Sequence, residues 1–184
     1  MELRMALRSG TRDRHEALDR LVSRWDLGSP GGYRDFLHMQ AAALLPLEAW
    51  LEDRGAEALP PDWPQRRRSQ ALRADLAALA LPVPRPAEVA IAPCRAAVAG
   101  VLYVLEGSRL GGRLLHRQVE AGAGKMPQSF LEHGNGQPLW QGFLSWLKAQ
   151  NLPSEEHRAA ISAARGVFGL YQAQAASLLK EPTI

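Results

Sequence analysis

The sequence is poor in the residues that build sheets. Among its 184 residues there are only eight valines, three isoleucines and two threonines, whereas β-branched side chains are what a pleated surface favours. A single cysteine, Cys94, excludes an internal disulfide and with it a disulfide-framed secreted scaffold. No apolar run approaches the roughly 18 residues of a membrane span. The stretch 3–7 is too short and too broken by charge to be the core of a signal peptide. Lysine is also scarce, with 19 of the 22 basic residues being arginine. The formal net charge is only +3, too diffuse to demand nucleic acid but suited to an anionic ligand or an acidic partner protein. A hydrophobic share of 46% with 22% charged residues rules out disorder across the whole chain. Together these features predict a soluble, cytoplasmic, globular protein with neither a membrane nor a nucleic-acid role.

What remains is alanine and leucine, 29 and 28 residues respectively. Both lose little on entering a helix, so the composition predicts an all-α fold. The length predicts one domain over 1–184, burying about 70% of the extended chain's surface. Proline and glycine cut the sequence into six or seven helical segments, at about 2–24, 33–54, 65–79, 93–119, 138–150 and 154–179, with one short turn near Phe130 inside the glycine-rich stretch 122–137. Pro46 is expected to kink the second segment. Pro93 suits a first-turn position of the fourth, and Ser154 is expected to cap the last. Helices joined this tightly predict a compact multi-helix bundle.

Two segments carry chemistry. In the first, Arg8, Arg12, His15 and Asp19 recur at helical spacing and fall within about 60° of one another around the axis. A neutral imidazole in that stripe can ligate a metal through one nitrogen, and Asp19, one turn on, is placed to take the proton of the other. Arg8 and Arg12 are placed to clamp carboxylates of the same ligand. The competing reading is a lone histidine in a solvated ion-pair face. The second segment runs Tyr103-Val104-Leu105-Glu106-Gly107-Ser108-Arg109-Leu110-Gly111-Gly112-Arg113. Three glycines within six helical residues cost about 2–3 kcal/mol against alanine. Gly107 and Gly111 share a face with Tyr103, so the missing Cβ atoms let a flat object approach the backbone. The alternatives are close helix packing and a helix end at Gly111-Gly112. Taken together, a ligating histidine and a bared helix describe two walls of a slot for a planar metallated macrocycle.

These segments resemble those of the bacterial heme oxygenases. Leu7-Arg8-Ser9-Gly10-Thr11-Arg12-Asp13-Arg14-His15-Glu16 is similar to that family's proximal helix, and Tyr103 to Gly112 to its glycine-containing distal helix. The resemblance spans most of the chain and implies a helical bundle of the heme oxygenase type. It implies that His15 ligates iron, with Asp19 behind it, and that Gly107, Ser108 and Gly111 form the catalytic distal wall. Arg8, Arg12 and Tyr103 match positions that contact heme propionates, and Phe168 one that packs an aromatic against the macrocycle. Heme would be cofactor and substrate, O2 the co-substrate, and biliverdin, iron and carbon monoxide the products. The implied partner is an electron donor such as a ferredoxin or a reductase, and the branch resembled supplies biliverdin either for iron acquisition or to a bacteriophytochrome as acceptor. Ser108 stands where mammalian-type enzymes carry a carboxylate, which leaves Arg109 and glycine carbonyls to organise distal water. Trp140 and Leu144 stand where some relatives have basic propionate contacts.

A non-catalytic heme carrier or sensor would use the same histidine but would have little need of bare distal glycines. Cys94 beside Pro93 is read as structural rather than nucleophilic. Arg66-Arg67-Arg68 is read as a solvated face at the start of a surface helix, and His38, His116, His133 and His157 as structural or surface groups.

Overall fold

A computed structural model describes residues 2–122 and 125–180; Ala123 and Gly124 of the glycine-rich stretch lie outside them. All regular structure among these residues is helical: α1 Leu3–Val22, α2 Pro30–Gly55, a 3-10 turn Ala56–Ala58, α3 Trp63–Arg66, α4 Ser69–Ala78, α5 Arg95–Glu120, α6 Ser129–Glu132, α7 Leu139–Ala149 and α8 His157–Leu178. No helix of the described residues is long and apolar enough to cross a membrane.

The core follows the helical period. Tyr33, Phe36, Leu37, Leu44, Leu47 and Trp50 of α2 are buried and join a connected apolar cluster with α5 and α8. α8 packs most extensively, against α5 and α1. Two glycines let these helices approach closely, Gly100 against backbone and Gly10 under a side chain. A Cβ on Gly100 would stand 2.1 Å from the Ala160 carbonyl oxygen, and one on Gly10 would stand 2.7 Å from Ile161 Cγ2. A third close approach, between Gly122 and the carbonyl of Gly28, joins the end of α5 to the loop leaving α1. α1 and α5 are thus held across from one another, with α8 bridging them.

Several boundaries differ from expectation, each for a tertiary or local reason. The basic segment 65–79 is two helices, because Arg67 is extended at ψ 133°. Glu48, buried on α2, accepts hydrogen bonds from the backbone N–H groups of Arg68 and Ser69 at 2.8 and 3.0 Å and so starts α4 anew. Asp75, fully buried on α4, does the same for α6, accepting from Ser129 and Phe130 at 2.9 Å each. α5 begins after Pro93 rather than on it, with Cys94 as N-cap, its Sγ accepting from the Ala97 N–H at 3.3 Å. Ser154 caps nothing; α8 begins at His157 with no side-chain cap bond. Helix α2 runs on through Pro46 as one element.

Candidate functional site

A cavity of about 1700 Å3 lies between α1 and α5 and is lined by Arg8, Arg12, His15, Asp19, Tyr103, Gly107, Ser108, Gly111 and Phe168. Three helices, α1, α5 and α8, therefore bring every predicted site residue to one space. Leu144 is not there: it lines a separate, smaller cavity. Trp140 does line the main cavity, next to Tyr103 at 6.3 Å between ring centroids.

On the α1 wall, His15 Nδ1 stands 3.0 Å from Asp19 Oδ2. An imidazole N–H donating there leaves Nε2, the other ring nitrogen, as the acceptor. Nε2 makes no hydrogen bond among the described residues. The Phe168 ring meets the imidazole at 5.8 Å and 77°, an edge-on contact from α8. Toward the start of α1, Arg8 and Arg4 lie near Tyr103 of the opposite wall. Burial pushes the Tyr103 hydroxyl above its ordinary pKa, and these two cations work against that rise. One end of the slot thus gathers cations and a phenol.

On the α5 wall, Tyr103, Gly107, Leu110, Gly111 and Leu114 share one stripe by the helical period. Leu110 and Leu114 are 56% and 54% exposed, unusual for leucines on a long helix, because they face the cavity. Between them a Cβ on Gly111 would meet nothing within 4 Å, and one on Gly107 only the Trp140 ring, at 3.9 Å. Close helix packing therefore does not require these glycines, unlike Gly100. Nor do they end the helix, since α5 runs on to Glu120. The bared, apolar-flanked surface with an imidazole opposite fits a flat, largely apolar, anionic-edged ligand such as heme. Leu110 and Leu114 escaped the sequence reading, although their spacing from Gly107 and Gly111 contains the signal.

The larger correction concerns Arg66-Arg67-Arg68. Only Arg67 is exposed, pairing with Glu52 at 3.0 Å. Arg66 and Arg68 are 2% and 5% exposed and brace α5, Arg68 from the cavity's own lining. Arg66 donates to Glu106 Oε2 at 2.7 Å, to the Leu139 carbonyl at 3.0 Å and to both oxygens of Asp62. Burial opposes its charge, but Asp62 and Glu106 outweigh that and raise its pKa. Arg68 donates to the Leu105 carbonyl and to Ser108 Oγ, both at 2.9 Å, and lies over the Phe130 ring. Arg109 was expected to organise distal water, yet its guanidinium is occupied by Glu106, His133 and the Arg66 carbonyl. Burial first, then the Arg68 cation, brings its pKa down to about 10, so it stays charged at neutral pH. His133 is pushed below its ordinary value by burial, then by Arg109 and Arg68. No group of three or more His, Cys, Asp or Glu among the described residues is placed to hold a bare metal ion.

A family model described as heme oxygenase matches residues 1–176. A heme oxygenase of Xanthomonas campestris pv. campestris is 34% identical over 143 residues, covering 74% of this chain and 84% of the relative. The heme oxygenase PigA of Pseudomonas aeruginosa is 30% identical over 174 residues, covering 88% and 85%. Among solved structures, the heme oxygenase of Neisseria meningitidis, determined with NO and CO bound, superposes with a TM-score of 0.80 at 23% identity, over 100% of this chain and 94% of that one. The Leptospira interrogans heme oxygenase gives 0.73 at 20% identity, over 96% and 100%.

Proposed function

Because the chain belongs to the heme oxygenase family, a family of enzymes, we propose that it cleaves heme oxidatively to biliverdin, releasing iron and carbon monoxide and consuming O2 and electrons from a partner. The observation that carries this reading is the empty space over Gly111 facing an imidazole whose Nδ1 is already committed to Asp19.

Bound heme supplies the iron at which dioxygen is activated; the protein supplies aim, enclosure and protons. His15 would hold the iron through Nε2. Asp19 takes the Nδ1 proton in a hydrogen bond, fixing the tautomer and making Nε2 the better donor. Phe168 limits rotation of the ring. Arg8, Arg12 and Tyr103 hold the propionates at the cationic end of the slot, where charge-assisted bonds fix the orientation of the macrocycle. Gly107 and Gly111 present bare main chain on the wall opposite His15, so no side chain there would hold a bound macrocycle away from it. Ser108 Oγ donates to the Leu105 carbonyl at 2.7 Å and accepts from Arg68. Its hydroxyl is thereby held at the cavity wall, with one lone pair left for a proton-carrying water. The basic surface suits an acidic electron donor of the ferredoxin class or a reductase, and a bacteriophytochrome is a fitting acceptor for biliverdin.

The test is hemin titration of the protein and its His15→Ala variant, followed by turnover with ferredoxin, reductase and oxygen and chromatography of the product. A histidine-type Soret band lost in the variant, and a green tetrapyrrole from the unaltered chain, are expected. An unchanged band in His15→Ala removes the axial assignment. Tight hemin binding without any open-chain product would make the protein a carrier or sensor.

A further inference from the structure

One stripe of α8 touches α1 at four successive points. The Ile161 side chain packs over Gly10, where a Cβ would stand 2.7 Å from Ile161 Cγ2. One turn on, Arg165 Nη1 donates to the Gly10 carbonyl at 2.8 Å and to Asp13 Oδ1 at 2.6 Å, while Nη2 donates to Asp13 Oδ2 at 2.9 Å. Phe168 follows, against His15. Then Gln172 Nε2 donates to the Arg14 carbonyl at 2.8 Å, and its Oε1 accepts from Arg14 Nη1 at 3.4 Å.

The acceptors are informative. Carbonyls inside a helix are already satisfied by the N–H four residues on, so α1 needs neither extra donor to form. Donors to the carbonyls of residues 10 and 14, one turn apart, instead fix where the helix axis lies and how it is rotated. His15 is the next residue after the second grip. The Arg165–Asp13 pair is half open to solvent, with side chains 36% and 62% exposed, so it adds little to stability. Its geometry, bidentate to Asp13 and tied to main chain, is that of a positioning element.

We propose that Arg165 and Gln172 are positioning residues that set the height and rotation of α1 and thereby aim the His15 imidazole into the slot. The inference rests on His15 being the axial ligand proposed above. The full chain loaded with hemin is reduced and read by resonance Raman spectroscopy at the iron–histidine stretching band. Hemin affinity and the thermal midpoint of the heme-free protein are measured alongside. In Arg165→Ala/Gln172→Ala the band should shift and broaden, with hemin affinity down about fivefold overall. The heme-free thermal midpoint should move little. Gln172→Glu keeps the acceptor for the Arg14 side chain but loses the donor to its carbonyl, so it should behave like Gln172→Ala. Arg165→Lys, which retains a donor, should restore part of the signal.

An unmoved band and affinity in the double variant, with the band lost in His15→Ala, would overturn the positioning role while leaving the axial ligand standing. A band that survives in His15→Ala would overturn both. If the double variant does not fold, Gln172→Glu decides in the heme-free protein through the nuclear Overhauser contact between the His15 and Phe168 rings. Weakening supports the proposal; an unchanged contact overturns it.

Discussion

Replacing Gly111 by alanine should make the heme-free protein more stable, the reverse of what a packing glycine would do. Within α5 the exchange removes the conformational penalty of glycine, about 0.5–1 kcal/mol, and the new methyl group would meet nothing within 4 Å. For a chain of this size that corresponds to a rise of roughly 2–4 °C in thermal midpoint per kcal/mol. Gly107→Ala should follow the same direction, since its methyl would reach only the Trp140 ring at an ordinary contact distance of 3.9 Å. Gly100→Ala is the control. There the methyl would stand 2.1 Å from the Ala160 carbonyl oxygen, and overpacking of backbone costs ~1–3 kcal/mol or more. Thermal and urea unfolding of the three heme-free variants measure this directly. Gly111→Leu then carries the functional half, because a side chain that must be pushed out of the slot at ~1–3 kcal/mol lowers hemin affinity ~10- to 100-fold. A heme-free Gly111→Ala protein less stable than the original, or a Gly111→Leu protein that binds hemin unchanged, would refute the claim that this helix is bared for a ligand.

Arg66→Met should destabilise the fold by about 3–5 kcal/mol, since it leaves Glu106 buried with one partner fewer, and a urea midpoint within error of the original would contradict the brace. His133 favours its neutral form in the folded state, because burial and the neighbouring Arg109 and Arg68 cations hold its pKa below the ordinary 6.5. As pH falls below that value the unfolded chain takes the proton first, so stability is fully present above it and is lost as pH drops through the folded value. His133→Gln keeps an acceptor for Arg109 and should flatten the urea midpoint between about pH 7 and about pH 5; an unaltered slope would count against it. Ala80 ends α4 at φ 52°, with the Leu81 N–H reaching the Leu76 carbonyl at 2.9 Å, a helix stop that glycine makes without strain. Ala80→Gly should therefore gain ~1 kcal/mol in calorimetry, and a loss would mean the turn is held by something else.

The features legible in the sequence are those whose cause is local. Arg8, Arg12, His15 and Asp19 fall on one stripe because of the helical repeat alone, and the same arithmetic aligns Tyr103, Gly107 and Gly111. The break at Arg67 was not legible, because the carboxylate that restarts the chain at Ser69 comes from Glu48 on another helix. Nor was the fate of Arg66, whose partner Glu106 lies forty positions away. A run of three arginines reads as a solvated face unless something remote neutralises it, and no spacing rule announces that partner.

The two halves are nevertheless linked. The glycines at 107, 111 and 112 leave α5 with a local deficit of about 2–3 kcal/mol, visible in the sequence with nothing beside it to offset it. The residues around the first of them are gripped by buried arginines: the Leu105 carbonyl and Ser108 by Arg68, and Glu106 by Arg66, while Arg109 donates to the Arg66 carbonyl. Hydrogen bonds to charged groups contribute ~1.5–3 kcal/mol each, so one or two of these suffice to hold a helix that its own sequence weakens. Buried arginines beside the glycine stripe, Arg68 among the residues lining the cavity itself, thus help hold the bared wall in place, and a run that reads as surface charge is part of the reason the slot can exist.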